Sequence, residues 1–439
     1  MEVTPVGIPI IILGVILFFW KKEYLFYAFV FSIPFIATAV INIPKITFGL
    51  QPSYFFLILL LLKALITGEV RYYPTLASVT FLIYILFATL SLTMPFVIDG
   101  SISATNPEGI VSPIEPSRLQ LTQYFYVIFF ALTFLMISNF MSNPSFLKKS
   151  VKIYLLSAFF VSLWGVYQLI SGYFGLPYLL LFNNSLSNAQ GWFQYKALRI
   201  SSVAPEPSMF ANFLLSVIPI AFFFGYWHLC FFLIVILLLT RATTAYLGFA
   251  ILVLCIIFNL RRLYQFEKKR NIILALALVG IAVVIVQLLY KYISKYGFVD
   301  YFATSIYEKV ILRQHLSGQN RFRLFVEGME LFIKYPLLGV GIGSFRSGDW
   351  ISTTLAKVGI TGFISFSLFI FLLLKEGLRN YHLTELKRSS IAFSVSLIAV
   401  FLTMCVSVSD LMYMHFWFIT GTLNALGIMR SSKALPRRG

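Results

Sequence analysis

Apolar residues fall into runs near 5–20, 24–43, 52–67, 76–97, 120–140, 151–171, 207–226, 227–240, 243–260, 271–290, 350–374, 391–409 and 411–429. A helix rising about 1.5 Å per residue needs roughly 20 apolar residues to cross the hydrocarbon of a bilayer, and most of these runs are that long. Lipid offers backbone groups no partners, so each span is helical or part of a closed barrel. Barrel strands are shorter and alternate in polarity, whereas these runs are long and uniformly apolar, so they predict helices. The 227–240 run is short and predicts a tight hairpin with 243–260 around Thr240-Arg241-Ala242-Thr243-Thr244. The pattern as a whole predicts an all-α polytopic integral membrane protein with about 12–13 transmembrane helices. The first run has no basic segment before it and no small-residue cleavage site, and it reads as a retained helix.

Composition agrees and narrows the function classes. The 439 residues are 59% hydrophobic and only 11% charged, against about 25% charged in soluble chains, which excludes a water-soluble enzyme. The formal net charge of +18 is sorted by side. Lys21-Lys22, Lys148-Lys149-Lys152, Arg261-Arg262, Lys268-Lys269-Arg270, Lys375, Arg379, Lys387-Arg388 and the tail from Arg430 fall on one side if the spans alternate. That side carries roughly 19 basic against about 5 acidic residues, which makes it cytoplasmic and places the C-terminus there. The excess is topology, and no nucleic-acid partner is needed. The opposite side is nearly balanced and owns the long loops 98–119, 172–205 and 291–349, so the functional machinery is expected to face away from the cytoplasm. Cys230, Cys255 and Cys405 lie inside apolar runs with no metal-ligand spacing and read as small core residues.

Candidate chemistry gathers on the balanced side. Wound as a helix, 319–336 clusters Arg323, Glu327, Glu330 and Lys334 on one narrow face at spacings that suit mutual pairing, with Pro336 ending the helix. Phe322, Phe325, Met329, Leu331, Phe332 and Ile333 spread over the other side, as in an interfacial helix. Arg321 breaks the pattern by projecting from the apolar face. It either snorkels to water or aims a planar, permanent charge at an anionic group between the spans. Arg199 precedes Glu206, and Pro207 sits where a helix takes its first-turn proline. Glu206 there either complements the helix dipole or serves as a proton acceptor or an arginine-orienting partner.

The stretch 336–350 holds Gly339-x-Gly341-x-Gly343, which lacks the strand–helix context of a dinucleotide fingerprint. A re-entrant turn offering N–H groups to an anion is one reading of it. Arg346 and Asp349, at the next span's entrance, are either solvated loop charges or further site candidates. His315 is the histidine of the long loop and an imidazole base by position. No zinc-protease motif, nucleotide-binding P-loop or Cys/His cluster is present, so no metal and no cofactor are expected. Charges in the spans are scarce, with Lys63, Arg241 and Asp410 near span ends, which leaves a proton-relay transporter little to work with.

The ordered set Arg199…Glu206-Pro207-Ser208, Leu239-Thr240 with Thr243-Thr244, Arg321…Pro336-Leu337-Leu338-Gly339-Val340-Gly341-x-Gly343-Ser344 and Lys357-Val358-Gly359-Ile360-x-Gly362 resembles the O-antigen polymerase/ligase (Wzy/WaaL) superfamily over about 199–375. The resemblance implies a GT-C-like fold with a large extracytoplasmic loop carrying amphipathic helices. It also implies a metal-independent glycosyltransferase acting on polyprenyl-pyrophosphate-linked glycans, undecaprenyl by type, at the outer face of the bacterial cytoplasmic membrane. Carried onto this chain, pyrophosphate-binding arginines map to Arg199 and Arg321, with Arg346 a third candidate. Ligases of the family resemble a pattern with His followed by Asn, Ser or Gln about ten residues before G-x-x-G; here Gly348 and Asp349 occupy those places. That departure favours a polymerase of O-antigen, capsular or exopolysaccharide repeat units over a ligase, with a lipid-linked oligosaccharide flippase as the alternative of another class. The base stays open among Glu206, Asp349 and His315. Expected partners are the lipid-linked donor and acceptor, membrane lipid and a chain-length regulator. The organisation follows as N-terminal spans and outer loops over 1–198, the core over 199–375, and C-terminal spans with a basic tail over 376–439.

Overall fold

A computed structural model of the chain describes residues 1–44, 48–68, 72–107, 109–186, 199–263, 280, 316–380, 384–407 and 411–434. His315, Asp410 and the 271–290 run apart from Gly280 lie outside the described residues. The molecule is a helical polytopic membrane protein. Its helices are α1 (Gly7–Phe19), α2 (Lys22–Ser32), α3 (Pro52–Thr67), α4 (Leu76–Ser91), α5 (Met94–Ile98), α6 (Arg118–Met141) and α7 (Pro144–Phe174). They continue with α8 (Pro207–Phe223), α9 (Trp227–Leu239), α10 (Thr243–Leu263), α11 (Leu316–Lys334), α12 (Trp350–Arg379), α13 (Thr384–Ser407) and α14 (Met414–Ala434). Among the described residues, five segments are long and apolar enough to span a bilayer: Leu76–Ile98, Arg118–Met141, Pro144–Phe174, Trp350–Arg379 and Leu386–Ser407. Shorter apolar helices accompany them, and α9 and α10 form the expected hairpin, turning at Arg241 with φ 54°.

The 24–43 run is not one span. Pro34 lacks an N–H and restricts the residue before it, so α2 stops at Ser32. The chain then turns into β2 (Ile41–Ile43), which pairs antiparallel with β1 (Glu2–Val3) and β3 (Phe48–Leu50). A second antiparallel pair, β4 (Ser103–Thr105) and β5 (Val111–Pro113), rises from the 98–119 loop.

The largest helix interfaces are α12 with α4, α13 with α8, and α14 with α6, so segments from both ends of the chain share one bundle. Lipid tails are as apolar as leucine, so spans associate through close packing and polar contacts. Aromatic rings fill the centre: Phe81 stacks on Phe369 at 4.8 Å, and Phe130 on Trp417 at 5.5 Å. Small residues let helices close in, as where Gly421 faces Ile137 and Gly377 faces Ser394. Buried polar groups are cross-linked: Asn424 donates to Ser138, and Asn212 donates to Thr403 while its Oδ1 meets His415 Nε2 at 2.7 Å.

Candidate functional site

The connection from α11 to α12, residues 335–349, is built around a break in a span. Gly359 inside α12 takes φ 66° and ψ −169°, a conformation essentially confined to glycine. The break frees backbone groups that an intact helix would pair, and the connection supplies their partners. Val340 N–H donates to Ala356 O at 2.7 Å, Gly341 N–H to Lys357 O at 3.1 Å, and Ile360 N–H to Pro336 O at 2.8 Å. Thr361 Oγ1 adds a bond to Leu337 O at 2.7 Å. The fit is backbone on backbone: a Cβ on Gly339 would lie 2.3 Å from Ala356 O, and one on Gly359 would lie 2.2 Å from Leu337 O. The N–H groups of Gly339, Val340 and Gly341 are thus engaged by Tyr335, Ala356 and Lys357, and the glycine run is a dock for the broken helix, not an anion nest.

Helix α11 leads into this dock. Its buried stripe is Leu324, Gly328 and Leu331, and Arg321 continues that stripe one turn earlier. The Arg321 stem lies over Gly348, where an added Cβ would sit 2.8 Å from its Cγ, and the residue is exposed. Its guanidinium has no hydrogen bond or ion pair among the described residues. The expected pairing along the polar face is not formed there either. Glu327 instead accepts the N–H of Thr105 on β4 at 2.5 Å, tying the β4–β5 hairpin to α11.

Asp349 is buried and caps α12. Its Oδ1 accepts Ser352 N–H at 2.7 Å, and its Oδ2 accepts the hydroxyls of Ser347 at 2.7 Å and Ser352 at 2.5 Å. It is therefore a helix cap, not a solvated loop charge, and such a cap contributes about 1 kcal/mol. Arg346 is exposed on the same turn.

The segment 199–206 is packed rather than loose. Ser201 and Ser202 donate backbone N–H groups to Gln168 Oε1 of α7 at 2.9 and 2.8 Å, and Ile200 through Pro205 are buried. Arg199 is half-buried and its Nε donates to Thr240 O at 3.4 Å, just past the C-terminus of α9, where the dipole favours a cation. Glu206 stands at the N-terminus of α8, exposed, with one side-chain bond from Ser208 Oγ at 3.1 Å. Its carboxylate makes no bond to the helix backbone.

A small cavity of about 60 Å³ opens between α4, α6 and the head of α12. Lys357 lines it together with Gln123, Tyr126, Thr353 and Thr354, and Trp350 closes it. Trp350 is 1% exposed, and its indole Nε1 has no hydrogen-bond partner among the described residues. Lys357 and Trp350 did not stand out in the sequence as site residues. A signal for Lys357 was there, since a lysine seven residues inside an apolar span is costly unless used.

The structure brings Arg321 together with the turn that carries Gly348 and Asp349, and it holds Arg199 beside Thr240. No described contact joins these two groups. Residues 228–357 match the family model described as O-Antigen ligase. That range covers α9 through the first turns of α12, including Arg321 and the glycine connection but not the break at Gly359, and it begins after Arg199 and Glu206. The match supports a part in O-antigen or related glycan assembly. No curated protein matches the chain.

Proposed function

We propose that the protein is a membrane glycosyltransferase that joins lipid-linked oligosaccharide repeat units on the outer side of the cytoplasmic membrane. The observation that carries this reading is Arg321, a cation without a carboxylate partner among the described residues, packed onto the turn that opens α12. In the proposed reaction an acceptor hydroxyl attacks the anomeric carbon of the donor glycan. The carbon–oxygen bond to pyrophosphate breaks, and the polyprenyl pyrophosphate leaves with both bonding electrons. The guanidinium groups of Arg321 and Arg199, with Arg346 nearby on the α12 turn, meet that developing charge. The hydroxyl proton goes to a carboxylate. Glu206 suits that role better than Asp349, because the Asp349 oxygens already accept three donors.

A polymerase is favoured because Gly348 and Asp349 stand where ligases of this type carry a histidine and an amide or hydroxyl residue. The ligase reading draws support from the description of the matched family model. A transporter would use a broken helix to present backbone carbonyls to its cargo. Here the carbonyls of Ala356 and Lys357 freed by the break are taken by Val340 and Gly341.

The deciding experiment is reconstitution in liposomes with a polyprenyl-pyrophosphate repeat unit. A ladder of glycans in repeat-unit steps, formed without ATP, unchanged by EDTA and lost in Arg321→Ala, is expected. Transfer only to an added lipid A-core acceptor would assign the ligase instead, and no transfer to either acceptor would refute the enzyme class.

A further inference from the structure

At the opposite end of the bundle from the dock, a cavity of about 500 Å³ opens between α2, α3, α6 and α7. Its polar wall holds Lys22, Lys63, Asn139 and Asn143, and no acidic residue is among the described lining residues. Its floor is apolar, made by Leu60, Ala64, Met136, Phe140 and Phe146. The cavity lies where helices begin and end: α2 starts at Lys22, α3 stops before Gly68, and α7 starts after its cap Asn143. The positive dipole ends of α2 and α7 at the cavity are balanced by the C-terminal ends of α3 and α6, so the site's positive charge comes from the two ammonium groups.

Lys63 Nζ donates to Phe18 O at 2.6 Å and Trp20 O at 2.9 Å. An ammonium carries three N–H donors, so one remains for the cavity that the residue lines. Beside it, Trp20 stacks on Tyr24 at 5.1 Å, the kind of aromatic pair that marks headgroup depth. Leu65 and Ile66 of α3 are 70% and 76% exposed, an apolar flank that leads out of the cavity along the bilayer.

We infer that this cavity binds the headgroup of an anionic phospholipid. The phosphodiester sits against Lys22 and Lys63, with the acyl chains running over the flank of α3. A neutral zwitterionic lipid brings its own cation to the same wall and gains less. A free phosphate would leave the apolar floor uncovered.

The test is native mass spectrometry of the full chain, equilibrated in detergent with an equimolar mixture of dioleoyl phosphatidylglycerol and dioleoyl phosphatidylcholine. Selective retention of phosphatidylglycerol is expected. Neutralising one cation near a lipid phosphate costs about fivefold in affinity, so Lys22→Gln is expected to lower retention by about that factor. Lys148→Gln, on the exposed face of α7 at the same end, is expected to change nothing. Asn139→Leu gives a second variant that removes a polar wall group while leaving both lysines. Equal retention of the two lipids, or equal behaviour of Lys22→Gln and Lys148→Gln, would overturn the site. Displacement of phosphatidylglycerol by millimolar inorganic phosphate would overturn the lipid assignment.

Discussion

Substituting Gly359 by alanine tests the dock between the α11–α12 connection and the broken span. The new Cβ would lie 2.2 Å from Leu337 O, 2.3 Å from Leu337 C and 2.6 Å from Leu338 N. These are backbone atoms, so no side chain can swing aside, and the connection must lift. Lifting it breaks the bonds from Val340 to Ala356, Gly341 to Lys357, Ile360 to Pro336 and Thr361 to Leu337. Each is worth about 1 kcal/mol, and the glycine-only backbone conformation adds about 1–3 kcal/mol of strain. The expected loss is about 4 kcal/mol or more, a large part of a typical folding free energy of about 5–15 kcal/mol.

Gly175→Ala is the control for a positive φ in open space. Gly175 has φ 65° and ψ 23° at a helix C-terminus, the αL region, with nothing within 4 Å of an added Cβ, so it loses only about 1–2 kcal/mol. The assay is thermal unfolding of the purified protein in detergent, read by the fraction that stays monodisperse. Gly339→Ala is expected to match Gly359→Ala, since its Cβ would strike Ala356 O at 2.3 Å across the same contact. The double variant is then far less destabilised than the sum, because the dock can open only once. Equal losses for Gly359→Ala and Gly175→Ala, or additive losses in the double variant, would refute the docking argument.

Other side chains give separable outcomes. Asp349→Ala removes the cap of α12 and is expected to cost about 1–2 kcal/mol of stability, whereas Glu206→Gln leaves stability within a few tenths and abolishes glycan transfer; unfolding and transfer assays on both variants distinguish cap from base. Lys357→Met, which removes the cation at the cavity beside the dock, should lower transfer per folded molecule in the same transfer assay. His415→Ala strands the amide oxygen of the fully buried Asn212 and is expected to cost about 1–3 kcal/mol, with Asn212→Leu/His415→Leu together recovering part of it in the same unfolding assay.

The helices were legible because lipid makes span length and apolar composition nearly sufficient conditions for them. The hairpin at Thr240–Thr244 was legible too, from the shortness of one run. Ile41–Ile43 was not. It continues an apolar run, and what makes it a strand is pairing with Glu2–Val3 and Phe48–Leu50. Asp349 directly before an apolar run was a readable cap signal that charge alone obscured. Arg321 stood out because its place on the helix stripe conflicts with its charge, a local contradiction that periodicity exposes. The partners of Val340 and Gly341 were beyond reach, since they are carbonyls set free by a break at Gly359, eighteen residues or more away.

The break and the cations belong to one arrangement. Irregular backbone at membrane depth survives only when it is buried in protein or lines a polar cavity. The dock meets that demand with backbone groups alone, through glycines that bring two chains into direct contact. Side chains at its margins are left for other work. Arg321 lies over Gly348 on one flank, and Lys357, whose carbonyl is held by Gly341, turns its side chain into the cavity on the other. A continuous α12 would keep Lys357 on a regular helix and leave the connection without the bonds that hold it near Arg321. If this coupling holds, Gly359→Ala should weaken transfer even in the molecules that remain folded, and to an extent that Gly175→Ala does not. Transfer per folded molecule equal in the two variants would separate the dock from the chemistry and leave it a purely structural device.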